Sequence, residues 1–393
     1  MKILVVSPTF LPVIGGAELV ILEVFRRLAE RHEVRLVTIS LKKELGVYFS
    51  DEYDNKINFE VRRFEDKVSL AKLHGHRLSC GFIPPFSLSA VAAVKNNIKE
   101  FKPDVINLHY VIPTGLAALV GKLSCGVPLV VTYNGRDVPG PGNPFFWKYW
   151  NKLAGILADE TTFVSDFCRK AVFGRRSSRG VVTYNGVNIP GMPLSDRIHE
   201  KRQLGIKKEQ KMIFSLGRLD KIKSVDILIK AMALLREKHP ELVLYIAGQG
   251  PERSRLEGLI EELELKDRVR LLGYVPSSEL GSYFAASEFF VFHSRFETFG
   301  MVLAEAMSHG RACVGVNNTA IPETAPDGEC ALLARTMNAG DMAEKISRLL
   351  TDEELRRKLE DNARERAEEL FDWKKIAVKY ENVFQEVIEK RFH

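Results

Sequence analysis

Lys211-Met212-Ile213-Phe214-Ser215-Leu216-Gly217-Arg218-Leu219-Asp220-Lys221-Ile222-Lys223-Ser224-Val225-Asp226-Ile227-Leu228-Ile229 restarts, midway along the chain, the pattern with which it begins. An apolar, β-rich run ends in a glycine loop. A helix follows, with apolar positions at Val225, Leu228, Ile229, Met232 and Leu235. Ser224 is of the residue type that caps helix N-termini. At the amino terminus the same order appears: a strand over Lys2–Ser7, a Pro/Gly loop, an amphipathic helix over Glu18–Arg31 and a strand over Val34–Ser40. Strand–helix alternation of this kind specifies parallel sheets covered by helices on both faces.

Outward from that restart, the strands of the first cycle continue at Val105–His109, Leu129–Thr132, Glu160–Val164 and Val181–Tyr184. Those of the second continue at Leu242–Ala247, Val269–Leu272, Phe289–Phe292 and Ala312–Val316. Between the cycles, Asn185-Gly186-Val187-Asn188-Ile189-Pro190-Gly191-Met192-Pro193 reads as a linker. The expected fold is therefore α/β, with two doubly wound parallel-sheet Rossmann-like domains, residues 1–190 and 191–370. Ligands of such sheets bind beyond the strands' carboxyl ends, so the expected site is the interdomain cleft. Thr351–Arg391 reads as one mostly charged helical segment.

The 393 residues suit two domains, and 45% hydrophobic with 27% charged content is ordinary for a globular chain. Five scattered cysteines without Cys-x-x-Cys read as reduced thiols in a cytoplasmic protein. The first residues lack the length of a signal peptide, and no apolar run is long enough to span a bilayer. The net charge of +6 is uneven: residues 1–190 carry 25 Lys+Arg against 17 Asp+Glu, and the remainder 32 against 34. A basic first half suits an anionic partner: an acidic glycan, a lipid pyrophosphate or peripheral contact with the inner face of an anionic membrane. No nucleic-acid recognition motif accompanies it. The oligomeric state leaves no trace in the sequence.

Several stretches could carry chemistry. Arg295-Phe296-Glu297-Thr298-Phe299-Gly300-Met301-Val302-Leu303-Ala304-Glu305 places one carboxylate in a turn and another inside the helix it opens. First-turn amides of a helix hold anions, so Glu297 would flank a bound phosphate. Glu305 would lie about 7.5 Å up the axis, at about 1.5 Å per residue. Hydroxyls on either side of a diphosphate fit that spacing. Taken alone the pair reads equally as a solvated face with a helix N-terminal charge. Arg218 and Lys223 flank a helix start where a diphosphate would be cradled; otherwise they are surface cations. The Gly15-Gly16 loop reads either as a tight turn needing positive φ or as a close amide approach to a ligand. Gly248-Gln249-Gly250-Pro251 lacks the third glycine of a dinucleotide fingerprint and reads as a turn before a helix. His109 ends a strand, where a packed and a functional histidine are equally at home. Phe145–Lys152 reads as an interfacial anchor or, by default, as a core helix under the domain interface. Arg62–Arg77, with five basic residues, is a second candidate for an anionic surface and by default a solvated face. No Asp-x-Asp or His/Cys cluster points to a divalent metal.

Together, Gly15-Gly16-Ala17-Glu18, Val164-Ser165, Asn185-Gly186-Val187, Gly217-Arg218-Leu219 with Lys223, Ala247-Gly248-Gln249-Gly250, Leu272-Gly273-Tyr274-Val275, Glu297 to Glu305, and Ile321-Pro322-Glu323 with Asp327-Gly328 resemble the family 4 retaining glycosyltransferases of the GT-B fold (glycosyl transferases group 1) over about residues 1–375. The resemblance implies transfer of a hexosyl group from a nucleoside diphosphate sugar, a UDP-sugar first and GDP-mannose next, to a glycan or lipid-linked acceptor. It implies no cofactor, no divalent metal and no protein nucleophile. Arg218 and Lys223 would hold the diphosphate, and Glu297 the transferred sugar. The amides of Thr298, Phe299 and Gly300 would complete the cradle, and Glu305 would bind the ribose. The backbone of Gly273, Tyr274 and Val275 would read the base, and Gly15 and Gly16 would close over the diphosphate. The family's last helix crosses back, so residues 371–393 are expected on the first domain. Three positions depart from the family pattern: Asn134 stands where histidine is frequent, Ser224 where glycine follows the lysine, and Thr319-Ala320 where Gly-Gly is common. The first departure leaves the roles of Asn134 and His109 open. The rival readings are a non-catalytic nucleotide-sugar-binding subunit and a GT-B-like epimerase or phosphorylase.

Overall fold

The computed structural model describes residues 1–13, 15–40, 54–65, 87–135, 137–140, 147–191 and 196–391. It contains two compact units: Met1–Gly186 with Trp373–His393, and Val187–Asp372. The chain enters and leaves the second unit at adjacent points, where the Val187 amide donates to the Phe371 carbonyl at 2.6 Å.

Among the described residues the first unit holds a seven-stranded sheet. Its strands are β1 (Lys2–Ser7), β2 (Glu33–Ile39), β3 (Glu60–Phe64), β4 (Val105–His109), β5 (Leu129–Tyr133), β6 (Glu160–Phe163) and β7 (Val181–Val182), in the order β3-β2-β1-β4-β5-β6-β7. All neighbours pair in parallel. The central strands are buried along their whole length, as a sheet covered on both faces requires. The second unit holds β8 (Lys211–Leu216), β9 (Leu242–Ala247), β10 (Val269–Gly273), β11 (Phe290–Val291), β12 (Cys313–Val316) and β13 (Ala331–Ala334), in the order β10-β9-β8-β11-β12-β13. The winding reverses between β1 and β4 in one sheet and between β8 and β11 in the other. Loops leaving the carboxyl ends of strands at such a reversal part from each other and open a crevice.

Sequence pattern missed two strands. Glu60-Val61-Arg62-Arg63-Phe64 is an edge strand whose charges discourage further pairing. Ala331-Leu332-Leu333-Ala334 is four residues long, too short to show a period. The charged carboxyl-terminal segment is two helices, Glu353–Leu370 and Trp373–Glu389, broken at the buried Phe371. The second packs on helix Gly16–Leu28 of the first unit. Phe384 stacks on Phe25 at 6.3 Å, and Glu381 takes Arg31 and His32, each at 2.7 Å. Gly186 lies flat against the Trp373 indole, leaving no room for a Cβ. No described helix is long and apolar enough to cross a membrane.

Phe145, Phe146, Met192, Pro193, Cys80, Arg136 and residues 66–77 of the basic stretch lie outside the described residues.

Candidate functional site

In the second unit the loops after β8 and β11 meet across the strand-order reversal. Asp220 shapes the first: its Oδ1 accepts the amides of Ile222 and Lys223, each at 3.2 Å. This Asx-type turn swings Lys223 toward the other loop. The Lys223 ammonium pairs with the Glu297 carboxylate and lies 5.5 Å from the Phe292 ring centroid. Arg218, on the same loop, is exposed and bonds Asp220 through Nε at 2.9 Å. The loops are stitched together: the Arg295 amide donates to the Ile222 carbonyl at 2.7 Å, and Arg295 Nε donates to Ser224 Oγ at 2.7 Å.

Ser224 does not cap its helix through its side chain, contrary to the expectation from its type. It adopts left-handed φ 43° and ψ 47°, a conformation that favours glycine. Thr319 likewise has φ 47°, and its hydroxyl accepts the Glu297 amide at 3.1 Å. Both departures from the family's glycine pattern therefore stand in left-handed backbone. There each hydroxyl makes a loop-fixing bond that glycine lacks.

Glu297-Thr298-Phe299 leads into helix Met301–Ser308 through Gly300 (φ 94°). Phe299 anchors this turn in the core, edge-on to Phe371 at 5.1 Å, with its carbonyl accepting Thr324 Oγ1 at 2.5 Å. The helix begins at Met301, so Glu305 lies about 6 Å along its axis, less than the sequence spacing suggested. Burial pushes the Glu305 carboxyl up to about 7. A buried carboxyl one turn into a helix, held toward its neutral form, is a candidate for a polar ligand.

Gly248 and Gly250 pack loop against loop. A Cβ on either would collide with the backbone carbonyls of Gly217 or Leu219. The Leu219 amide bonds the Gln249 carbonyl at 2.9 Å, and the Gly248 amide bonds the Gly273 carbonyl at 2.7 Å. These glycines thus fix the Arg218 loop against the Gly273–Val275 loop. Tyr274 is exposed on that loop, beside a Gly273 at φ 80°.

The first unit's crevice has a different character. Gly15 is extended (φ −148°), so its loop is not a positive-φ turn; a Cβ there would come within 2.6 Å of Glu18 Oε2. Gly16 opens the helix, and the buried Glu18 carboxylate accepts Thr9 Oγ1 at 2.5 Å. Across the reversal His109 is fully buried, with Phe25 edge-on at 5.9 Å. Burial lowers its pKa to about 3. Asn134 Nδ2 lies 3.0 Å from His109 Nδ1, so the amide and the ring are hydrogen-bonded, with the donor set by the ring's tautomer. His109, expected among the reacting groups, thus lies behind Asn134 rather than at the surface. Asp137 shapes the turn ahead of it: its Oδ1 takes the amides of Asn134 and Gly135 at 3.1 and 2.9 Å, while burial pushes its pKa up to about 6. Asp137 was not singled out in the sequence, and Thr319 stood there only as a departure from the family pattern. The only signals were Asp three residues after Asn134 and the loss of a family glycine.

Among the described residues no group of three or more His, Cys, Asp or Glu could hold a metal ion. No disulfide joins the described cysteines 125, 168, 313 and 330.

Glycosyltransferase Family 4 matches residues 14–189, and Glycosyl transferases group 1 matches residues 196–366. The N-acetyl-alpha-D-glucosaminyl L-malate synthase of Bacillus anthracis is 26% identical over 386 residues, 97% of this chain and 96% of that protein. An uncharacterized glycosyltransferase of Methanocaldococcus jannaschii is 27% identical over 98% of this chain and 99% of its own. Anabaena HepE, solved in complex with UDP, superposes with a TM-score of 0.78 at 22% identity, covering 98% of this chain and all of that one. Matched by these two families over residues 14–189 and 196–366 and built as two parallel-sheet units of the GT-B fold, the chain belongs to the family 4, group 1 glycosyltransferases.

Proposed function

We propose that this glycosyltransferase moves a hexosyl group from a UDP-sugar to an anionic glycan or lipid-linked acceptor, with retention of configuration and without a divalent metal. The observation that carries the reading is the Lys223–Glu297 pair at the entrance to helix Met301–Ser308, with the Glu305 carboxyl one turn beyond. Arg218 and Lys223 supply cations to the diphosphate. The turn at Thr298, Phe299 and Gly300 brings helix-terminal amides to the same anion. Glu297, held by Lys223, accepts hydroxyls of the transferred sugar. Glu305 accepts ribose hydroxyls, and the loop at Gly273, Tyr274 and Val275 meets the base. Gly15 and Gly16 stand at the start of helix Gly16–Leu28, whose first-turn amides suit an anion, and His109 positions Asn134 toward the acceptor.

The bond from the anomeric carbon to the diphosphate oxygen breaks as the acceptor hydroxyl attacks from the same face. The acceptor's proton passes to the departing diphosphate. Cations fixed beside the developing charge lower the barrier without reorganising. Retaining glycosidases instead set two carboxylates about 5 Å apart, one as nucleophile; here Lys223 neutralises Glu297, which favours binding over attack. The UDP preference draws on the ligand of the Anabaena structure, and the anionic acceptor on the basic first half. The malate named for the Bacillus anthracis relative is a small anionic acceptor and fits the same charge.

The test is a thermal-shift panel of UDP, GDP, ADP and their sugar conjugates, with and without EDTA. A ligand binding only the folded state raises apparent stability with the logarithm of its concentration over Kd. A shift with uridine nucleotides that survives EDTA is expected. Loss of the shift in EDTA would overturn the metal-free mechanism, and a shift confined to GDP or ADP would overturn the base.

A further inference from the structure

Helix Trp147–Leu157 turns one apolar stripe outward, while Trp147 and Trp150 are half-buried. Tyr149, Leu153, Ile156 and Leu157, at i, i+4, i+7 and i+8, are 55, 43, 48 and 45% exposed, whereas Asn151, Ala154 and Gly155 are buried. Gly155 explains the inversion. A Cβ there would lie 2.6 Å from the Tyr133 hydroxyl and 2.8 Å from the Phe173 ring, so only a small-residue face fits against this side of the sheet. The leucines and isoleucine that a core helix would bury thus line its outer face.

The neighbouring helix Gly115–Cys125 carries a further exposed apolar residue, Leu123, 80% exposed. Lys122 Nζ ties the two together, bonding the Leu157 carbonyl at 2.7 Å and Asp159 at 2.8 Å.

Cations border the strip. Lys148 Nζ lies 4.9 Å from the Tyr149 ring centroid, and Lys152 is exposed on the helix. Arg179 donates to the Ile156 and Ala158 carbonyls at 3.0 and 3.1 Å, which brings the exposed loop carrying Arg175 and Arg176 to the end of the strip. Residues 147–182 hold seven Lys and Arg against three Asp and Glu. Of those acids, Asp159 is held by Lys122 and Asp166 by Arg169 and Lys170.

We propose that this face seats the protein on an anionic lipid surface, with Tyr149, Leu153, Ile156, Leu157 and Leu123 entering the headgroup boundary and the arginines of the Gly174–Gly180 loop meeting lipid phosphates. An in-plane amphipathic helix needs an apolar strip with basic flanks, and its binding adds apolar burial to attraction by anionic headgroups. A second copy of the chain is the poorer occupant: a two-fold contact sets a patch against itself and would oppose the same cations. The proposal is independent of the donor assignment.

Cosedimentation of the full chain with vesicles of phosphatidylglycerol and phosphatidylcholine, at low and high salt, tests it. The expected result is pelleting that weakens with salt and is lost with phosphatidylcholine alone. L153E/I156E should lose about tenfold or more in vesicle affinity with an unchanged melting temperature. R175A/R176A, a loop variant that spares the helix, should lose about fivefold per arginine and flatten the salt dependence. No pelleting with anionic vesicles, or pelleting that both variants leave intact, overturns the proposal. A dimer by light scattering that L153E/I156E splits assigns the face to a second copy and overturns it as well. The nucleotide thermal shift should be the same in both variants and the parent.

Discussion

The two strand-order reversals differ in how they treat charge. In the second unit the crevice loops carry Arg218, Lys223 and Glu297, the helix that follows carries Glu305, and a lysine and a carboxylate are already joined there. In the first unit the reversal instead gathers buried polar groups: the His109 imidazole and the Asp137 carboxyl, both of which burial holds toward the neutral form, with the Asn134 amide and the Glu18 carboxylate. One reversal sets cations and carboxylates beside each other, whereas the other buries its polar groups. The contrast teaches that equivalent positions on two similar sheets are divided by electrostatics rather than by topology.

Lys223→Ala should have the largest effect. Removing a cation from the leaving diphosphate should lower kcat roughly 10²- to 10³-fold in a sugar-transfer assay. His109→Gln, acting only through Asn134, should cost far less and appear mainly in KM for the acceptor. Equal losses in kcat would break the division between the two halves.

Proton linkage sharpens the same contrast. Glu305, raised from 4.5 to about 7, binds its proton more tightly when folded. Its contribution is most favourable below pH 4.5 and is lost as pH rises through 7, on the order of 3 kcal/mol. Glu305→Gln should therefore melt higher than the parent at pH 8 and match it near pH 4.5. Donor affinity of the parent should weaken below pH 7, where Glu305 must first give up its proton, while the variant stays flat. His109 has the opposite sign: lowered from 6.5 to about 3, it stabilises the fold above pH 6.5 and loses that contribution as pH falls. His109→Gln should narrow the gap to the parent as the pH drops from 7 to 4. Parallel pH trends for the two variants would show that the crevices are not electrostatically distinct.

The smallest expected effect is at Ser224. Ser224→Ala removes the bond from Arg295 and keeps the left-handed backbone, so it should cost about 1 kcal/mol of stability. Ser224→Gly loses the same bond but relieves the backbone, and should fall within about 0.5 kcal/mol of the parent. Equal melting temperatures for the two variants would mean that the left-handed conformation stores no strain.

Much of this was legible in the chain. Strand–helix alternation and the linker near residue 190 gave the two parallel sheets, because periodicity and turn chemistry are local. The short β13 and the charged β3 were not legible, since four residues carry no period and an edge strand tolerates charge. The site residues were legible as members of motifs, whereas their geometry was not.

The sequence by itself determined the doubly wound architecture, the glycine loops and the inventory of cations and carboxylates at the strand ends. Tertiary structure alone decided that Lys223 meets Glu297 across 74 positions, that His109 is sealed behind Asn134, and that helix Trp147–Leu157 turns its leucines outward. The reason is the same in each case. Helical and strand periods say that a segment has two faces, but which face is buried depends on what the rest of the chain packs against it. At Gly155 that was settled by the Tyr133 hydroxyl and the Phe173 ring, which leave room for a small residue and nothing larger.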